Sequence, residues 1–220
     1  MKNVHLSVHP PLGKVRIAAP SSMSLDTLRV FAISKLAWIK QQQKKLVNQP
    51  RETAREFLDR ESHYLWGKRY LLKVTEADRV PKVTLAHSQI CLRVRSGATR
   101  EKKHEMVAQW YRGQLRAAVA PLIAKWVPLI GVTVDRIFVQ QMKTKWGSCN
   151  RSGRCIRLNT ELAKKPRECL EYLVVHELAH LIEPTHNVRF IALMDEFMPN
   201  WRLRREQLNQ LPVSHAEWEY

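Results

Sequence analysis

The stretch EYLVVHELAHLIEPTHNVRF (171–190) sets two histidines, a glutamate and a third histidine into what otherwise reads as a buried apolar helix. Tyr172, Leu173, Val174 and Val175 are consecutive apolar residues, so every side of that turn is apolar and the helix belongs inside a core. Titratable groups in such a helix are costly unless a metal or hydrogen bonds compensate them. Pro166 stands near its first turn and Pro184 just past its end, which bounds the helix on both sides.

His176, Glu177 and His180 form H-E-x-x-H. On a helix the two histidines, four residues apart, stack on one face, where both imidazoles can hold one metal. Glu177 is rotated about 100° from that line, so its carboxylate reaches water on the metal rather than the metal itself. The bland alternative is a pair of helix histidines satisfied by carbonyls or ion pairs; the apolar surroundings argue against it. A catalytic zinc site takes three protein ligands and leaves one position for water. Two residues compete for the third place. Glu183, three residues after His180, would join the ligand face of a continuing helix, but Pro184 disfavours helical geometry there. Past that break, EPTHN can fold back and bring in His186, giving H-x3-H-x5-H, and this is the favoured reading. Glu183 is then a candidate acceptor that orients an imidazole, and Asp195 or Glu196 is another.

Just upstream, strand-like VDRIFVQQM (134–142) and RCIRLNTEL (154–162) flank the polar turn KTKWGSCNRSG. Short connections keep neighbours adjacent, so this turn is expected beside the metal. It is strongly basic, and Lys143, Lys145 and Arg151 are candidates for binding substrate or stabilising an oxyanion. Trp146 reads either as a packed turn residue or as a substrate contact. Downstream, Asn187 and Asn200 are placed to cap two further helices, with Leu203 and Leu208 facing the H-E-x-x-H helix.

Towards the N-terminus, residues 4–20 alternate as a β-hairpin around Pro10, Pro11 and Gly13. SLDTLRVFAISKLAWIKQQQKKLV (24–47) has helical spacing with Ser24 as its cap. Residues 62–76 and 82–94 read as two more hairpins, which would extend the first into one mostly antiparallel sheet. A long helix over 100–131, interrupted at Pro121 and stopped near Pro128 and Gly131, opens the second half. The expected organisation is a β-rich domain over 1–98 and a metal-binding domain over 99–220.

The formal net charge of the 220 residues is +17, which points to an anionic partner such as nucleic acid or a nucleotide. Four cysteines without a C-x-x-C pair read as reduced thiols. The longest apolar run, AAVAPLIAKWVPLI (117–130), falls short of the roughly 20 residues of a membrane helix. The N-terminus lacks the apolar core of a secretory signal, so a cytoplasmic protein without membrane contact is expected.

Two motifs, VVHELAHLIEPTHNVRFIALMDEFMPNW (174–201) and MKTKWGSCNRSGRCIRLN (142–159), resemble the YgjP-like metallopeptidase-domain proteins, a group related to the SprT-like and WLM zincin-type metalloproteases. YLWGKRYLLKV (64–74) and LAWIKQQQ (36–43) extend the resemblance over most of the chain. Cys155 departs from the strand residue expected there. The elements read along the chain predict an α+β fold, an N-terminal mostly antiparallel sheet with a helix followed by a zincin-like helical domain with a short sheet; the resemblance implies zinc on His176, His180 and His186, and Glu177 as general base. Metal-assisted hydrolysis then has two candidate substrates, a peptide or protein and the phosphoanhydride of a nucleoside triphosphate. No Walker-type glycine-rich loop is present, which weighs against the nucleotide. The reading from another class is a nucleic-acid module whose zinc is structural.

Overall fold

The structure, a computed structural model, describes residues 3–9, 13–48, 54–142 and 145–211. The chain divides into two units, residues 1–52 with 212–220, and residues 53–211.

In the first unit, β1 (His5–His9) and β2 (Lys14–Ala18) pair as an antiparallel ribbon with Ser7 opposite Arg16. Gly13, at φ 73°, accepts a hydrogen bond from the Gln43 side chain at 2.9 Å. Instead of one helix from Ser24 there are two, α1 (Leu25–Ser34) and α2 (Leu36–Asn48). Ser24 caps α1 by accepting from the Thr27 N–H at 3.2 Å. The break is at Lys35, whose N–H is shared between the carbonyls of Phe31 and Ala32, the tightened last turn that ends a helix.

The second unit begins with a four-stranded sheet of β3 (Ser62–Leu65), β4 (Lys68–Glu76), β5 (Lys82–Ala86) and β6 (Gln89–Val94), in the order β3-β4-β6-β5. This corrects the expectation of one sheet continuous with the opening ribbon: β1–β2 is a sheet by itself. Each hairpin in the sequence satisfies its own ladder locally, and local patterning does not say which hairpins join. The β4–β6 pairing is parallel and the others antiparallel. Trp66 and Gly67, at φ 51° and 77°, make a two-residue turn of the type that suits twisted hairpins. Their N–H groups donate to the carbonyls of Ala163 and Lys164 at 2.8 and 3.2 Å.

α3 (Arg100–Ile130) is capped by Thr99 and passes through Pro121 and Pro128 before ending at Gly131, φ 73°. β7 (Arg136–Gln140), β8 (Gly147–Asn150) and β9 (Cys155–Asn159) form a second sheet in the order β7-β9-β8. β8 lies in what reads from sequence as a polar turn; its four residues, GSCN, lack an alternating pattern and become a strand by pairing with β9. A 3₁₀ turn (Thr160–Lys164) leads to α4 (Arg167–Ile182), followed by α5 (Val188–Phe197) and α6 (Trp201–Gln210).

α4 is the axis of this unit. Its buried residues, from Cys169 to Ala179, occupy all its faces, because α3, β8, α5 and α6 pack around it. Leu65, Leu72, Leu115, Val174 and Leu178 belong to one continuous core. The boundary expected between residues 98 and 99 therefore falls inside this unit. Leu208 is buried as expected, whereas Leu203 is 60% exposed. The fold is α+β. No helix among the described residues is long and apolar enough to cross a membrane.

Candidate metal centre

α4 ends at Glu183, whose backbone is extended (φ −126°, ψ 108°), as Pro184 dictates. The chain then turns through Pro184 and Thr185, and Asn187 caps α5 by accepting from the Phe190 N–H at 3.0 Å. This reversal carries His186 back onto the face of α4 that holds His176 and His180. One ring nitrogen from each of the three histidines lies within 4.8 Å of the others. The Nε2 atoms of His176 and His186 stand 3.1 Å apart. Nδ1 of His180 donates to the Glu183 carbonyl at 3.0 Å, which fixes the tautomer and leaves Nε2 as the free lone pair.

Glu183 does orient an imidazole, but through its main chain. Its carboxylate accepts from the N–H and hydroxyl of Thr185 at 3.2 and 2.9 Å, and that engagement holds its pKa below the usual carboxylate range. Asp195 is turned elsewhere, accepting from Trp201 at 2.7 Å and pairing with Arg202. Asn200 stands at the start of α6 without a side-chain capping bond.

Burial pushes the His176 pKa down to about 3, aided by the charges of His180, His186 and Arg205. His186 is lowered for the same reasons. Neutral imidazoles keep their lone pairs without competition from protons. His176 Nδ1 and Glu177 Oε2 are buried polar atoms without a hydrogen-bond partner among the described residues. Three converging imidazole nitrogens and an unsatisfied carboxylate are a donor set that fits a divalent zinc-type ion.

Glu177 is 4% exposed. Burial pushes its carboxyl up to about 8, and the charge of Lys145 opposes the rise. Its carboxylate lies against Gly147 at the start of β8: a Cβ built at Gly147 would sit 2.6 Å from Glu177 Oε1. The polar turn thus does reach the glutamate, through Lys145 and Gly147. Trp146 is half-buried against the core, and Arg151 is exposed in the turn beyond β8. Lys143 lies outside the described residues.

Three residues of the site escape sequence reasoning. Phe190, 2% exposed, stacks on His180 with ring centres 4.6 Å apart and meets His176 and His186 edge-on at 5.0 and 4.8 Å. The buried Asn159 ties down the turn: its amide donates to the carbonyls of Met142 and Lys145 at 2.8 and 2.9 Å, and its N–H to that of Trp146 at 2.8 Å. Arg205 of α6 bears electrostatically on His176, His186 and Tyr172. Only the i, i+4 relation of His186 to Phe190, legible once Asn187 starts a helix, signals any of the three.

Residues 2–211 match the family model described as YgjP-like, metallopeptidase domain, and the chain belongs to that family. Among solved structures it is similar to the metallopeptidase zymogen abylysin of Pyrococcus abyssi, at 17% identity and a TM-score of 0.35, covering 44% of this chain and 90% of that one. It is also similar to the metallopeptidase zymogen jannalysin of Methanocaldococcus jannaschii, at 19% identity and a TM-score of 0.35, covering 43% and 95% respectively. No curated protein matches the chain.

Proposed function

We propose that this chain is a zinc-dependent peptidase in which His176, His180 and His186 hold the ion and Glu177 is the general base. The observation that carries this reading is a buried carboxylate, one oxygen of which has no hydrogen-bond partner among the described residues, beside three converging imidazoles. Membership of a metallopeptidase family supports it. Zinc held there supplies a Lewis acid that activates water and polarises the scissile carbonyl.

The chain's own groups supply the rest. Glu177 takes a proton from the attacking water and passes it to the leaving amine. Burial makes its carboxylate a stronger base, and Lys145 moderates that. β8 is an edge strand that begins at Gly147, beside Glu177; its open backbone groups suit an extended peptide added as a further strand. Three donors, not four, converge among the described residues, which is the pattern of a catalytic rather than a structural zinc site.

The peptide is favoured over a nucleoside triphosphate because several cations of this region have other tasks. Lys164 pairs with Glu161 at 2.7 Å, Arg154 with Asp135 at 3.0 Å, and Arg167 lies over the Trp66 ring at 4.4 Å. The test is a hydrolysis screen of zinc-loaded protein over peptides, proteins and nucleoside triphosphates, with Glu177→Gln as control. Peptide cleavage that the variant lacks is the expected result. Triphosphate cleavage with intact peptides would overturn the substrate assignment, and zinc binding with no turnover of any class would overturn the catalytic one.

A further inference from the structure

α6 brings one arginine to the metal centre. Trp201 and Leu208 are the buried residues of this helix, which packs on α4. Arg205 follows Trp201 by four residues and precedes Leu208 by three, so it stands on the same face of α6. Unlike those two it is exposed. After burial, Arg205 is the one cause that the pKa shifts of His176, His186 and Tyr172 have in common. Tyr172 and His176 are one turn apart on α4, with ring centres 5.7 Å apart. The guanidinium therefore lies on the Tyr172 side of the three histidines.

The other arginines of α6 are engaged. Arg202 pairs with Asp195, and Arg204 donates to Gln207 at 3.3 Å. Arg205 has no hydrogen bond or ion pair among the described residues. The acids of the region do not balance it: Asp195 is held by Arg202, the Glu183 carboxylate accepts from Thr185, and Lys145 is the cation that bears on Glu177. Burial raises the Tyr172 hydroxyl to about 12, so it stays neutral and adds no anion.

An arginine exposed to water alone needs no partner. One set beside three metal-binding histidines differs, because a zinc-type ion held there has the same sign of charge and repels it. An anion arriving with the substrate relieves that repulsion, and the planar guanidinium fork matches a carboxylate with two parallel hydrogen bonds. We propose that Arg205 is a specificity-determining residue of the metal centre, receiving a carboxylate of the peptide substrate from an acidic side chain or from the free C-terminus. This rests on the peptidase reading for the class of ligand, and adds to it which peptides the site takes.

The test uses full-length, zinc-loaded Glu177→Gln protein, in which bound peptides stay intact, and measures binding of short fluorescent peptides of alanine and serine. One pair is blocked at both ends and differs by Glu against Gln at one position; the other is neutral and differs by a free against an amidated C-terminus. At least one carboxylate peptide is expected to bind about tenfold or more tightly than its amide counterpart, and which pair shows it assigns the source of the carboxylate. Arg205→Gln is expected to abolish that preference, Arg205→Lys to retain part of it, and Arg205→Glu to turn it towards a lysine peptide. Arg202→Gln, an equal charge change on the same helix, is expected to leave it within about twofold. Zinc content and melting temperature are expected to match those of the parent protein. No binding of any peptide, equal binding within both pairs, or equal losses from Arg205→Gln and Arg202→Gln would overturn the proposal. So would Arg205-dependent binding of a nucleoside triphosphate tighter than that of any peptide. With Glu177 restored, cleavage without a carboxylate preference would overturn this inference and leave the peptidase standing. An Arg205-dependent preference without cleavage would uphold the carboxylate site and overturn the peptidase.

Discussion

Glu171 and Glu177 lie six residues apart on α4, and the helix treats them oppositely. Glu171 accepts from Lys125 at 2.8 Å and from the Trp126 indole at 2.9 Å. Burial pushes its pKa up, but these bonds outweigh burial and hold it below the usual range. Glu177 is more deeply buried and has one oxygen without a hydrogen-bond partner among the described residues; Lys145 opposes the rise in its pKa without cancelling it. On the proposed function, a fold that provides a cation and an indole for one carboxylate, yet no hydrogen-bond partner among the described residues for one oxygen of the other, separates a structural glutamate from a reactive one. A buried carboxyl with an unsatisfied oxygen is tolerated where chemistry needs it.

The sharpest way to test that contrast is to neutralise each glutamate in turn. Glu177→Gln is expected to lower peptide turnover by about 10³-fold, the range of a lost general base, with zinc content unchanged. In the metal-free protein the same change is expected to raise the melting temperature near pH 8. Glu177 ionises near 4.5 when unfolded, but burial keeps it protonated in the fold up to about 8. Its contribution is thus fully present below pH 4.5 and lost as pH rises toward 8. Metal-free stability followed by calorimetry between pH 5 and pH 8, in wild type and variant, reads this difference directly. A parallel pH dependence in both would remove the assigned protonation behaviour.

Gly147→Ala probes the space around the same carboxylate. A methyl group 2.6 Å from Oε1 must displace Glu177 or bend β8, and a misplacement near 1 Å costs about 100-fold in turnover. Steady-state kinetics with zinc quantification check it: lower kcat at full zinc occupancy is expected, and unaltered kcat would mean that the carboxylate is not held where catalysis requires.

Asn159→Ala removes the amide that holds the Met142 and Lys145 carbonyls. Losing these part-buried hydrogen bonds costs about 1 kcal/mol, read by denaturant unfolding. Activity is expected to fall about tenfold as Lys145 and Gly147 loosen beside Glu177. Glu171→Gln is the mildest change. Loss of the charged bonds to Lys125 and Trp126 is expected to cost about 1 kcal/mol and to leave turnover within about twofold, the opposite outcome to Glu177→Gln.

The contrast between the two glutamates also marks what is legible in the sequence. The H-E-x-x-H spacing, the break at Pro184 and the cap at Asn187 are local features, and each has its counterpart in the helix, the reversal and the start of α5. Which glutamate is paired is not local, since Lys125 and Trp126 come from α3. The same is true of Arg205 from α6 and of Asn159, whose partners span residues 142 to 161. β8 is invisible because its strand character comes from β9, and the separation of the ribbon from the later sheet is a tertiary choice. The division of α1 from α2 at Lys35 is a local event without a proline or glycine to announce it.

The most direct measurement is zinc stoichiometry and affinity by titration of the metal-free protein, comparing wild type with His186→Ala and Glu183→Gln. One ion per chain in the wild type, affinity reduced at least about 100-fold without the imidazole of residue 186 and unchanged without the carboxylate of residue 183, is predicted. Equal zinc binding by wild type and His186→Ala, or loss of the ion in Glu183→Gln alone, would contradict the three-histidine centre.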